Sequence, residues 1–150
     1  MDTVSRQRQA TIDHNAGFNC CQSVLLQYAK EHGIDRTRAA ELASGFGGGM
    51  NHGKTCGAIT GAIMVLGLAC GYQSGDDQNG KERVKKQVRA FIEAFRAEHE
   101  DTDCHKLLGM DITIPENRVL MKERGMSDSH CNCFITDAIK ILDDILRACL

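Results

Sequence analysis

Residues 58–70, AITGAIMVLGLAC, hold no charge and no proline, and they follow a segment, 45–53, in which five of nine residues are glycine. A helix that is apolar almost all round has no face to give to water, so it belongs at the centre of a bundle. The spacing predicts this helix from Cys56 to about Gly71, with Thr55 capping its start. The run is too short to cross a bilayer, which takes about 20 apolar residues. Gly57 and Gly61 lie four apart on one face and would let a neighbouring backbone approach closely. The glycines of 45–53 mark a tight, irregular connection, because glycine in a regular element loses too much entropy unless positive φ or close contact demands it.

The rest of the chain reads as helix around that centre. It has one proline, few aromatics and no period-two alternation. Asn19 or Cys20 opens a segment with Val24, Leu25 and Tyr28 at helical spacing, ended by Gly33, and Asp35 caps a short helix through Ala43. A polar loop spans Gly71 to Gly80. From Lys81 onward Val84, Val88, Phe91, Ile92 and Phe95 form one face of an amphipathic helix. Asp103 opens a short turn ending at Gly109, and Pro115 begins another short helix. After a loop from Gly125 to Ser129, the last helix has a stripe of Phe134, Ile135, Ala138, Leu142, Ile145 and Leu146. The expected fold is all-α: a compact bundle of about five main helices with short extra helical turns, forming one domain over residues 1–150.

Lys and Arg number 18 against 20 Asp and Glu, a net charge of -2 with both signs interspersed. Nothing resembles the polycationic footprint of a nucleic-acid binder. The polar N-terminus, MDTVSRQRQATI, has no apolar core of a secretion signal, so the expected compartment is the cytoplasm, without membrane insertion. Eight cysteines in a reducing compartment point to metal or redox use rather than to disulfide staples.

Residues 48–55, GGMNHGKT, satisfy the phosphate-loop pattern G-x-x-x-x-G-K-[ST]. In such a loop backbone amides cradle phosphates, Lys54 would reach the terminal phosphates and Thr55 would hold magnesium. The pattern needs a β-strand before it, whereas AAELASGFG reads as the end of a helix. A turn between helices is the expected reading, and a nucleotide-binding enzyme ranks last.

Cys20, Cys56, Cys104 and Cys131 each sit at or within two residues of a helix-start signal, behind Asn19, Thr55 and Asp103 and just after Ser129. Free N–H donors and the positive end of the helix dipole favour the thiolate there, the form that binds metals and attacks disulfides. The segments GFNCCQSVL, FGGGMNHGKTCGAITGAIMVLGL, CHKLLGMD and HCNCFITDAIKILDDIL resemble the family named for the pattern C_GCAxxG_C_C, to which a redox activity is ascribed. The resemblance implies that Cys20, Cys56, Cys104 and Cys131 are the redox-active thiols. Cys21 stands where the family usually has a small residue and Cys133 lies two beyond Cys131, so these two are substitute ligands. On a helix only one of each such pair faces a common centre. Cys70 and Cys149 match nothing in the motif and read as small buried hydrophobes.

Four thiolates suit an iron–sulfur cluster or zinc, and two thiol pairs would suit disulfide exchange. The motif positions lack the C-x₂₋₄-C knuckles of structural zinc, and without C-x-x-C-H there is no c-type haem site. His52, His105 and His130 lie near motif cysteines in sequence but in polar surroundings, and are expected in exposed loops. No acid/base pair or nucleophile triad accompanies the sulfurs. The expected function is therefore a carrier of electrons or thiols to a redox partner protein, the alternative being a structural zinc or metal-binding module. No sequence feature indicates an oligomeric state.

Overall fold

The computed structural model describes residues 1–149. Eight α-helices succeed one another: α1 (Thr3–Asn15), α2 (Cys20–Leu25), α3 (Arg36–Ala43), α4 (Gly57–Cys70), α5 (Gln78–His99), α6 (Cys104–Leu108), α7 (Pro115–Glu123) and α8 (Asn132–Cys149). A 3₁₀ turn covers Ala29–His32, and π turns cover Gly49–Gly53 and Ser127–Cys131. Among the described residues there is no β-strand, only an isolated antiparallel bridge between Thr55 and Asp103. The all-α expectation holds.

Helix α4 is the centre. Ala58, Ile59, Ala62, Val65 and Leu66 are wholly shielded, and α2, α5 and α8 pack around them. Full burial of each Ile, Val or Leu contributes about 1.5–3 kcal/mol. The apolar character outruns the burial at the far end, where Gly67, Leu68 and Ala69 are exposed. The small faces act as read from sequence. A side chain at Gly61 would meet the Cys21 carbonyl oxygen at 2.8 Å, and one at Gly57 would meet the Cys21 amide nitrogen at 2.9 Å. These contacts hold α2 against the first half of α4.

Several boundaries differ from expectation for local reasons. Cys56, not Thr55, is the cap residue of α4, because Thr55 is held in the bridge to Asp103. Helix α5 begins at Gln78 inside the expected loop, since the Asp77 carboxylate accepts the Gly80 N–H at 2.8 Å. Ile145 and Leu146 are half-buried rather than core.

Helix α1 lies in the segment read only as polar. Asp2 caps it, accepting the Ser5 N–H at 2.8 Å, and the helix packs along α8. Its inner face is held by polar pairing. Arg6 forks onto Glu31 at 2.8 and 2.9 Å and lies 4.1 Å above the Tyr28 ring. Asp143 of α8 accepts Thr3 at 2.6 Å and Tyr28 at 2.7 Å. Such a face leaves no apolar period to read.

Candidate four-cysteine site

The glycine-rich connection makes a left-handed turn, with positive φ at Gly48, Gly49, Met50, Asn51 and Gly53. Met50 and Asn51 adopt this region at a steric cost that glycine avoids. The turn opens a seat for α6. A side chain at Gly49 would lie 2.9 Å from the Cys104 Cβ, and one at Gly53 would run into the His105 ring. Two backbone bonds then join the strips on either side of the bridge: Cys104 N–H donates to the Lys54 carbonyl at 2.6 Å, and Cys56 N–H to the Thr102 carbonyl at 2.8 Å. Cys56 and Cys104, 48 positions apart in the chain, are thereby set side by side.

The other two sulfurs arrive on α2 and on the π turn before α8. Asn19 closes a reciprocal capping box with Gln22, at 2.8 and 2.9 Å, so that Cys20 is the first helical residue of α2. A side chain at Gly57 would come within 3.0 Å of the Cys20 Cβ. Cys131 ends its π turn one residue before α8. All four cysteines, with Gly48, Gly49, Leu108, Ile112 and Phe134, line one cavity of about 30 Å³. The convergence expected of the matched positions is thus present.

Charge in this cavity is governed by burial more than by helix ends. The Cys56 thiol is pushed up to about 12 by burial, although the amides of Ala58 and Ile59 pull the other way. Burial raises Cys104 to about 11. The neighbouring Cys20 thiol lowers Cys131 below the ordinary thiol value, while the Cys131 sulfur and burial hold Cys20 well above it. The expectation of a thiolate at each helix start is therefore corrected: only Cys131 is favoured as the anion, and a neighbouring thiol is the cause.

The two substitutes are not at the cavity. Cys21 turns into the core, its sulfur 3.9 Å from that of Met64, and Cys133 faces solvent on α8. The one-residue and two-residue offsets send them away, as helix geometry requires. All eight cysteines are free thiols. Cys70 is half-buried and Cys149 exposed, so the expectation that both are buried hydrophobes is not met.

Of the histidines singled out, His52 is exposed as expected, whereas His105 and His130 are half-buried. His105 packs over Gly53 with its Nε2 2.8 Å from Asp111. The imidazole nearest the Cys20–Cys131 pair is one the sequence reading passed over. His14 Nε2 lies 3.7 Å from the Cys20 sulfur, while its Nδ1 is 2.9 Å from Asn132 Oδ1. Burial lowers its pKa below the ordinary imidazole value. Nothing in the sequence pairs His14 with a residue beyond position 130; only the packing of α1 along α8 does.

The donor set suits a soft metal. Among the described residues, however, no three His, Cys, Asp or Glu side chains stand at the spacing that holds a metal ion, so the thiols would have to close in around one. For the phosphate-loop pattern, the chain enters from α3 and not from a strand, and the Lys54 carbonyl is engaged by α6. No described helix is long and apolar enough to cross a membrane.

An all-α domain in which four helix-start regions bring four cysteines to one cavity defines a cysteine-centred class of protein. The sequence match agrees: the family described as Putative redox-active protein (C_GCAxxG_C_C) matches residues 18–145, and the chain belongs to it. No curated protein and no solved structure matches the chain.

Proposed function

We propose that the four-cysteine cavity is the redox centre of this protein and that Cys20 and Cys131 are its working dithiol. The meeting of all four sulfurs at one cavity carries this reading, and within it the neighbouring Cys20 thiol favours the Cys131 anion beside its own resolving thiol. The Cys131 thiolate attacks a disulfide of a partner protein and releases one partner sulfur as a thiolate. Cys20 then gives up its proton, attacks the Cys131 sulfur of the mixed disulfide and releases the second. Two electrons pass to the partner, which leaves as a dithiol after taking up the Cys20 proton and one from water. Cys56 and Cys104, protonated at neutral pH, wall the cavity.

A second reading is favoured by the enclosure itself, since four sulfurs from four elements surround one small space. A soft cation or an iron–sulfur centre entering there would displace the thiol protons and use all four as ligands, as the donor chemistry allows. Anaerobic purification decides between the two. Visible absorption with bound iron supports a cluster, and one tightly held zinc in a colourless protein supports a structural module. A metal-free protein that reversibly loses two thiols on mild oxidation, with Cys20 linked to Cys131 in peptide maps, supports the dithiol. A metal-free protein whose cavity thiols resist oxidation overturns both.

A further inference from the structure

A second, larger cavity of about 880 Å³ lies at the other end of α4, between that end, the start of α1 and the last turns of α8. Its size falls within the ~300–1,000 Å³ typical of small-molecule sites. Cys70 and Cys149, the cysteines that the family pattern does not include, both line it, together with Arg83 and Arg147. The 14 residues of α4 separate Cys70 from the four-cysteine cavity by about 20 Å. We propose that this cavity is a thiol-exchange site: it takes a small disulfide bearing carboxylate groups, and Cys149 and Cys70 exchange with it to form a bond joining the ends of α8 and α4.

The two thiols are unequal in a way that orders the steps. Cys149 is exposed in the last turn of α8, whereas the half-buried Cys70 donates its S–H to the Leu66 carbonyl at 3.0 Å. Cys149 is the accessible nucleophile and Cys70 the resolving thiol. Both thiols line the same cavity; burial raises the Cys70 pKa, a charge on Cys149 adds to that rise and Arg83 opposes it. A disulfide needs Cα atoms about 4.4–6.8 Å apart. The final turn of α8 can make such an adjustment, because the last carbonyls of a helix lack partners within it and helix ends fray.

The charges set the ligand class. Arg83 Nε donates to the Cys70 carbonyl at 3.0 Å, which holds its guanidinium at the cavity wall. Arg147 lies across the cavity, paired with the exposed Asp144. These guanidinium groups suit carboxylates. Val4, Ala69 and Leu146 provide apolar wall for the sulfur-bearing middle of such a molecule. In the reaction the Cys149 thiolate attacks one ligand sulfur, forming a mixed disulfide and releasing the first ligand thiol. Cys70 then attacks the Cys149 sulfur, loses its proton and releases the second. The protein loses two electrons to the disulfide ligand, whose two released sulfurs take up the Cys70 proton and one from water.

Oxidised glutathione is the probe, and a neutral hydroxyethyl disulfide is the control. The experiment uses the full chain, and also its Cys131→Ser variant, in which the proposed dithiol of the other cavity cannot form. Peptide mapping should show a Cys70–Cys149 link in both proteins, independent of any cap on the exposed Cys133 and of the Cys20–Cys131 link in the full chain, and Cys70→Ser should trap a glutathionyl group on Cys149. At low salt the charged probe should react about 10-fold faster than the neutral one, and Arg147→Gln should remove that preference. Cys70 and Cys149 each capped separately, or either one linked first to another cysteine, would overturn the exchange site. Equal rates for the two probes, or a preference unchanged in Arg147→Gln, would overturn the assigned ligand. A Cys70–Cys149 link that forms while the Cys20–Cys131 link does not would count against the redox centre alone.

Discussion

Helix α4 ends in a thiol region at both termini, and the two ends show opposite solutions to placing sulfur in a fold. At the N-terminus Cys56 is only 4% exposed, and burial holds its thiol at about 12 even though the amides of Ala58 and Ile59 favour the anion. At the C-terminus Cys70 is half-buried beside an exposed Cys149 in a roomy, charged cavity. Stabilisation at a helix terminus amounts to about 0.3–1 kcal/mol, reaching ~2 kcal/mol in favourable cases. Removal from water costs more than that at Cys56, so dipole arguments alone misjudge a buried thiol. The buried end relies on one sulfur easing another, and the open end on solvent and arginine.

The largest expected effect would break the open end while sparing the buried one. Asp143→Ala removes the acceptor of Thr3 and Tyr28 and the carboxylate 3.7 Å from the buried Arg6 Nε. It should cost about 3–5 kcal/mol in denaturant unfolding. The Cys20–Cys131 pair should keep its thiol titration in the folded protein, and a shift in that titration would show that the two ends are not independent.

Alkaline pH tests the buried end. Cys56 has a folded value of about 12 against a reference of 9.0, so its contribution is complete below pH 9 and is lost as pH rises towards 12. The full shift corresponds to about 4 kcal/mol. Stability measured across that window should fall more steeply in the parent chain than in Cys56→Ala. Parallel curves would mean that the Cys56 thiol is not held from water.

One substitution made twice on α4 sharpens the contrast further. Gly61→Ala places a methyl group 2.8 Å from the Cys21 carbonyl oxygen, a backbone atom that cannot easily move, and should destabilise by about 1–3 kcal/mol. Gly67→Ala meets nothing within 4 Å and should stabilise by up to about 1 kcal/mol through helix propensity. Thermal unfolding of the pair should therefore shift in opposite directions. The smallest effect is expected for Cys133→Ser, which faces solvent: within about 0.5 kcal/mol, with the reversible thiol count unchanged.

Much of the scaffold was legible in the residues. Charge-free α4, the amphipathic period of α5, Pro115 at the start of α7 and the glycine stops at Gly33 and Gly109 are local signals, and each acts locally in the structure. The four matched cysteines and the outward turn of Cys133 follow from motif and helix geometry. Helix α1 escaped because its inner face is built from Arg6, Asp13 and Ala10, whose burial depends on partners far along the chain. His14 escaped for the same reason, as did the openness around Cys70 and Cys149.

Amino-acid order by itself determined most of the helical segments other than α1, several of their stops and which sulfurs stand near their starts, because caps, glycines and apolar periods act over a few residues. Tertiary structure alone decided which sulfurs touch, which one carries charge and where space remains. Those properties depend on desolvation and on distances between segments remote in the chain, such as 54–56 beside 102–104. No local pattern encodes either quantity.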